Sequence, residues 1–192
     1  DGFNSIEEKA FYNITSVTSI TFAKGSKIAS IGESAFQGAS NLQYIILPST
    51  VTSIGNNAFQ EAQKLIGSQD NNILNLQSVT TIGANAFYGC ESLNIVLLSQ
   101  DNLTSIGASA FNNCTNLIDI TLPTNSNYTN ISSNLFTNCS SLQTISIPIN
   151  VTSIGTEAFY GCKKLNIVNL NDGLTTIGSS AFEFCAILIK KS

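Results

Sequence analysis

The 192-residue chain is 43% hydrophobic and only 10% charged, too apolar for a disordered segment. Eight lysines stand against twelve acids for a net charge of −4, with no arginine and no histidine, so no basic stripe exists to neutralise a phosphate backbone and nucleic acid is not an expected partner. No apolar run approaches the roughly eighteen residues of a membrane span, and the opening DGFNSIEEKAF lacks the basic region and apolar stretch of a secretory signal.

From the N-terminus the chain passes through IEEKAF (6–11), IGESAF (31–36), IGNNAF (54–59), IGANAF (82–87), IGASAF (106–111), ISSNLF (131–136), IGTEAF (154–159) and IGSSAF (177–182). The phenylalanines Phe11, Phe36, Phe59, Phe87, Phe111, Phe136, Phe159 and Phe182 are 25, 23, 28, 24, 25, 23 and 23 residues apart. A period in this range predicts a solenoid. Six residues after each Phe comes an apolar residue: Val17, Leu42, Leu65, Leu93, Leu117, Leu142, Leu165 or Leu188. It usually opens L-x-x-I-x-L, whose alternation predicts a short strand with pairs such as Ile45 and Leu47, or Ile120 and Leu122, pointing inward. Pro48, Pro123 and Pro148 follow in three copies, and their missing N–H should end the ladder there. Next comes V/L-T-S/T-I-G, a second extended piece, and then the A-F segment, expected as a turn or short helix.

Such a coil is one layer thick and cannot bury its own Leu, Ile and Phe, so stability must come from stacking like residues over like. Eight coils at the inter-strand spacing would extend roughly 35 to 40 Å. Departures from the repeat mark loops. The segment 66–73 (IGSQDNNI) carries about six extra residues, predicting a GSQDNN loop before the third strand, and the segment after Leu122 (PTNSNYTNIS) is about two residues longer than the others. Loops vary more readily than rungs and can reach a partner.

The full unit, CSSLQTISIPINVTSIGTEAFYG from Cys139, resembles the 23-residue leucine-rich repeat of BspA-like surface proteins of bacteria and protists. The pattern C-x-x-L-x-x-I-x-L-P-x-x-V/L-x-x-I-G-x-x-A-F covers essentially the whole chain, with weaker copies at 1–30 and 123–142. The resemblance implies a leucine-rich-repeat superhelix used at cell surfaces for adhesion to host matrix, host cells or other microbes, and it carries over no catalytic residue.

Cys90, Cys114, Cys139, Cys162 and Cys185 each lie three residues after the repeat Phe, a slot held by Ile14, Ala39 and Ala62 in earlier coils. That predicts a buried ladder of free thiols. Adjacent rungs would be close enough for disulfides, but side chains pointing the same way give poor bridge geometry. Cysteines 23 to 25 residues apart without histidine match no zinc pattern. The acids fall singly at variable or turn positions, and without His the usual activation of Ser or Cys is missing, so no catalytic residue, metal ligand or cofactor is expected. One Gly per coil is read as the requirement of a tight corner. N-x-S/T sequons occur at Asn13, Asn102, Asn113, Asn127, Asn130, Asn138 and Asn150, little above chance for this composition; Asn127 and Asn130, in the longer loop, are the better glycosylation candidates.

These observations predict a right-handed leucine-rich-repeat solenoid, one domain spanning residues 1–192 in about eight coils, with a parallel sheet on the concave face and short strands, turns or helical turns on the other side. Neither end carries an obvious polar cap, so the segment is expected to be a fragment of a longer chain. The expected function is a non-catalytic protein-binding or adhesion module, secreted or at the cell surface, with a host matrix or cell-surface protein as partner. The alternative is an intracellular scaffold, which unpaired cysteines would suit. The residues flanking the inward Ile should face outward, and in the middle coils they are apolar. Tyr44, Ile46, Ile73, Ile95 and Leu97 are therefore the expected ligand-binding patch, read either as a contact surface or as packing that stiffens the sheet.

Overall fold

The computed structural model describes residues 2–186 and the backbone of 188–191. Each coil holds two short strands. The first four coils contain β1 (Ser5–Ile6) and β2 (Ser19–Ile20), β3 (Ser30–Ile31) and β4 (Tyr44–Ile45), β5 (Ser53–Ile54) and β6 (Ile73–Leu76), then β7 (Thr81–Ile82) and β8 (Ile95–Leu98). The last four contain β9 (Ser105–Ile106) and β10 (Asp119–Ile120), β11 (Asn130–Ile131) and β12 (Thr144–Ser146), β13 (Ser153–Ile154) and β14 (Ile167–Leu170), then β15 (Thr176–Ile177) and β16 (Leu188–Lys191). All pairing is parallel and joins a strand to its counterpart one coil away, so the chain is the expected leucine-rich-repeat solenoid. Proline accompanies short strands, although β2 also stops after two residues with no proline behind it. Strands in the coils carrying Pro48, Pro123 and Pro148 stop after two or three residues, whereas β6, β8 and β14, which no proline follows, run four.

The A-F segments form a third column built of turns, and no helix occurs among the described residues. Alternating donors explain this. In the second coil Ala35, Gln37 and Ala39 donate to the carbonyl three residues back, whereas Ser34, Phe36 and Gly38 donate to Asn56, Ala58 and Gln60 of the next coil. Every second N–H must therefore turn outward along the stack, which a helix forbids because all its N–H groups point one way. The backbone achieves it with two left-handed residues per coil, two before and two after the Phe: Ser34 and Gly38, Asn57 and Glu61, Asn85 and Gly89, Asn134 and Asn138, and likewise in the other four coils. Asn, Gly and Ser dominate these positions because they tolerate that region at least cost.

Between the columns lies one continuous core. The eight phenylalanine rings stack in a row with centroids 5.0 to 5.8 Å apart, and six of them, from Phe36 to Phe159, are wholly buried. Leu42, Leu65, Leu93, Leu117, Leu142 and Leu165 are also fully buried. Each such side chain contributes on the order of 1.5–3 kcal/mol on leaving water.

The glycine of I-G owes its place to a cause other than the corner geometry expected from sequence. Its φ is not positive; instead, a Cβ on Gly55, Gly83, Gly107, Gly155 or Gly178 would lie 2.3 to 2.7 Å from a backbone nitrogen of the preceding coil, for example 2.3 Å from Ala84 N at Gly107. Glycine lets adjacent coils approach closely enough for its own N–H to donate to the preceding coil's Ile carbonyl at 2.7 to 2.8 Å.

Candidate functional site

The outward residues of the even-numbered strands are the ones the alternation singles out. On β4 the inward Ile45 is 2% exposed, Tyr44 is half-buried, and Ile46 just beyond the strand is 63% exposed. On β6 and β8 the register sets Ile73 beside Ile95 and Asn75 beside Leu97, with Leu74, Leu76, Val96 and Leu98 turned into the core. Ile73, Ile95 and Leu97 are half-buried and Asn75 is exposed. The structure thus brings Ile73, Ile95 and Leu97 together on two paired strands.

Tyr44 does not pair with Ile73. The inserted segment intervenes: Tyr44 bridges to Gly67, and Ile45 N donates to Gly67 O at 2.9 Å. The chain then leaves the sheet and returns at Ile73, closing the loop where Ser68 N meets Ile73 O at 2.9 Å. Gly67 has φ 97°, and a Cβ there would lie 2.4 Å from Ile73 O, so only glycine fits between the two strands. Asp70 N donates to Ser68 Oγ and Ile73 N to Asn71 Oδ1, ordering the loop from within. Tyr44 and Ile46 therefore sit on one side of the loop base, and Ile73, Ile95 and Leu97 on the other.

Beyond β8 the same face is mainly polar, with half-buried Ile167 on β14 as an exception. Asp119, Thr121, Thr144 and Ser146 are exposed, and Asn169 Nδ2 donates to Ser146 Oγ at 2.9 Å. One apolar residue escaped the sequence reading. Ile118 is 42% exposed and precedes Asp119, the register partner of Ile95. Its signal was its position directly after the inward Leu117, where most other coils carry a polar residue (Thr18, Gln43, Asn94, Gln143 and Asn166), coil three with Ile66 being an exception.

The cysteine slot is internal, as Ala39 and Ala62 foretold. Cys90, Cys114, Cys139 and Cys162 are fully buried, Cys185 is half-buried, and all five are free thiols. Each thiol donates to the carbonyl of the preceding coil's phenylalanine at 3.0 to 3.2 Å, from Cys90 on Phe59 to Cys185 on Phe159. Burial pushes the Cys90, Cys114 and Cys139 thiols far above their usual range, the opposite of what a nucleophilic cysteine needs. Among the described residues no three His, Cys, Asp or Glu side chains converge as metal ligands would. Of the sequons, Asn127 and Asn130 are exposed, the former in a turn and the latter on β11. Asn113 and Asn138 are committed elsewhere: Asn138 Nδ2 donates to Asn113 Oδ1 at 3.0 Å and Asn113 Nδ2 to Tyr88 OH at 3.1 Å.

No curated protein matches the chain. Among solved structures it is similar to a leucine-rich repeat protein from Bacteroides ovatus (27% identity, TM-score 0.83, 95% of this chain and 45% of that one). It is also similar to a leucine rich cell surface protein from Faecalibacterium prausnitzii (26%, 0.62, 97% and 62%) and to a leucine rich repeat protein of T. pallidum (26%, 0.74, 88% and 77%). The chain spans less than two thirds of the first two proteins. Residues 1–69 and 67–189 match the BspA type leucine rich repeat region, in six copies. The chain belongs to the BspA type leucine rich repeat family.

Proposed function

We propose that this chain is a non-catalytic protein-binding module of a cell-surface or secreted adhesin, and that it engages a host matrix or cell-surface protein through the apolar strip of coils two to four. The observation that carries the reading is Ile46, 63% exposed on a face whose later coils present mainly Thr, Ser, Asn and Asp. An exposed apolar group rimmed by polar ones is what a contact site looks like, with Tyr44 suited to anchor it. The similarity to a protein described as a leucine rich cell surface protein supports the location. The rigid backbone ladder supports the mechanism, because a preorganised face loses little freedom on binding. Asn127 and Asn130, both exposed, are open to a glycan if the chain is secreted by a glycosylating cell.

The test is retention of matrix proteins and of whole cells by the immobilised chain. Retention of a matrix protein or of cells, competed by soluble chain, supports the module; a chain that retains neither argues against it. A second reading, an intracellular scaffold, draws on the five free thiols. It predicts that the source cell holds the protein in a reducing compartment, which fractionation decides.

A further inference from the structure

The stack is interrupted at one junction. Between coils five and six neither strand column is paired: the odd-numbered strands form one sheet from β1 to β9 and another from β11 to β15, and β10 does not pair with β12. The gap between β4 and β6 differs, because there β3 and β5 remain bonded. Among the described residues the backbone hydrogen bonds crossing the five-to-six junction are those of the turn column alone. The central one of these is stretched: Phe111 N to Leu135 O is 3.1 Å, against 2.7 to 2.8 Å at the six equivalent positions, while Asn113 N to Thr137 O keeps the usual 2.8 Å. The Phe111 and Phe136 rings are 5.8 Å apart, against 5.0 to 5.4 Å for the other stacked neighbours.

Coil six is thick at three positions at once, two of them buried. Tyr128 stands where coils two to five, seven and eight have Ile28, Val51, Val79, Leu103, Val151 and Leu174; Leu135 stands where they have Ala; and Ser132 stands where they have the close-approach glycine. Tyr128 is 2% exposed and its hydroxyl has no hydrogen-bond partner, and Leu135 is fully buried. A Cβ at the glycine position cannot coexist with the usual spacing, and Ser132 has one. Its hydroxyl, rather than its N–H, reaches back to Ile106 O at 2.5 Å, spanning the gap that glycine N–H groups close elsewhere. Asn125 Nδ2 on Leu103 O at 2.8 Å and Cys139 Sγ on Phe111 O are further side-chain links across it.

We propose that this junction is a built-in seam at which the solenoid opens as two cooperative blocks, coils one to five and coils six to eight. In a stacked-repeat protein cooperativity passes only through nearest-neighbour interfaces, so one weak interface divides the whole. The shorter block has fewer interfaces to hold it and unfolds first. The apolar strip of coils two to four lies wholly within the larger block, so opening leaves that face intact.

The test is hydrogen–deuterium exchange of the full chain along a urea series, read by peptide. Peptides from 131–186 should lose protection at lower urea than those from 28–106, giving two transitions. Replacing the three thick residues by their counterparts, Y128V/S132G/L135A, should merge the transitions into one and slow exchange of the amides of β11 and β12 at least tenfold. Conversely Gly107→Ser, whose Cβ would meet Ala84 N at 2.3 Å, should add a second boundary at the junction of coils four and five, so that peptides of coil five separate from those of coils one to four; a folded Gly107→Ser chain with no added boundary overturns the proposal. One transition shared by all peptides of the unmodified chain overturns the proposal, as does a folded triple variant that keeps two. If the triple variant does not fold, the unmodified chain and Gly107→Ser decide.

Discussion

Truncating Phe87 to Ala tests the energetics of the stack. Phe87 is fully buried, and its ring lies between those of Phe59 and Phe111 at 5.2 and 5.3 Å, tilted by 3° and 4°. Losing a buried Phe side chain costs about 3–5 kcal/mol. Each aromatic pair is worth a further 0.5–1.5 kcal/mol or so beyond burial. Part of the pair contribution is already counted in the truncation cost, so the expected loss is about 5 kcal/mol. Phe11 provides the control, being 36% exposed and stacked on Phe36 alone; Phe11→Ala should cost about 2 kcal/mol on the same scale. Urea unfolding followed by circular dichroism measures both. Amide exchange should localise the Phe87 defect to the N–H groups of Phe59 and Phe87, which donate to Ala86 O and Ala110 O. A loss below about 2 kcal/mol for Phe87→Ala, or equal losses at the two sites, would refute the argument that stacking between coils carries the stability.

Thiol labelling of the native chain should leave Cys90, Cys114, Cys139 and Cys162 unmodified while half-buried Cys185 reacts; rapid reaction of three or more thiols would show that the slot is open. Stability should fall in alkali. The raised thiols of Cys90, Cys114 and Cys139 keep their protons in the folded state, so their contribution is complete below the unfolded thiol pKa of about 8.5 and declines as pH rises above it. Three groups give a slope of about 4 kcal/mol per pH unit, and Cys139→Ala should remove about a third of it; a urea midpoint unchanged between pH 7 and 10 would contradict this. Asn138→Ala loses a left-handed residue at φ 60° and a bond to Asn113, costing about 2 kcal/mol, whereas Asn138→Gly should cost less; the opposite order in urea unfolding would sink the turn-column account.

Much of the fold was legible because the repeat averages over exceptions. The Phe and Leu columns, the inward Ile of each strand, the proline stops and the internal cysteine slot all follow from residues that recur at one phase. What hid from the sequence was whatever depends on the neighbouring coil. The left-handed pairs are filled by Asn, Gly and Ser often enough to be seen in hindsight, but Lys9, Glu61, Glu157 and Phe184 occupy them too, which blurs the signal. The I-G glycine suggested a corner, since a contact between backbones of successive coils leaves no mark within one repeat. Tyr44 and Ile73 look like rung neighbours by counting, yet six inserted residues let Gly67 take the place beside Tyr44. The degenerate ISSNLF copy was visible as a weak match, but that Ser132, Tyr128 and Leu135 thicken a single interface needs the stack itself.

The central claim is that the apolar strip of coils two to four binds protein, and the most direct measurement compares the unmodified chain with Y44S/I46S/L97S. Affinity for the matrix protein best retained by the immobilised chain is read by surface plasmon resonance, with urea unfolding of both chains in parallel. The account predicts at least a tenfold weaker complex from a variant that still folds, because these side chains lie outside the core. Unchanged affinity in a folded variant would contradict it, and collapse of the fold would return Tyr44, Ile46 and Leu97 to a packing role.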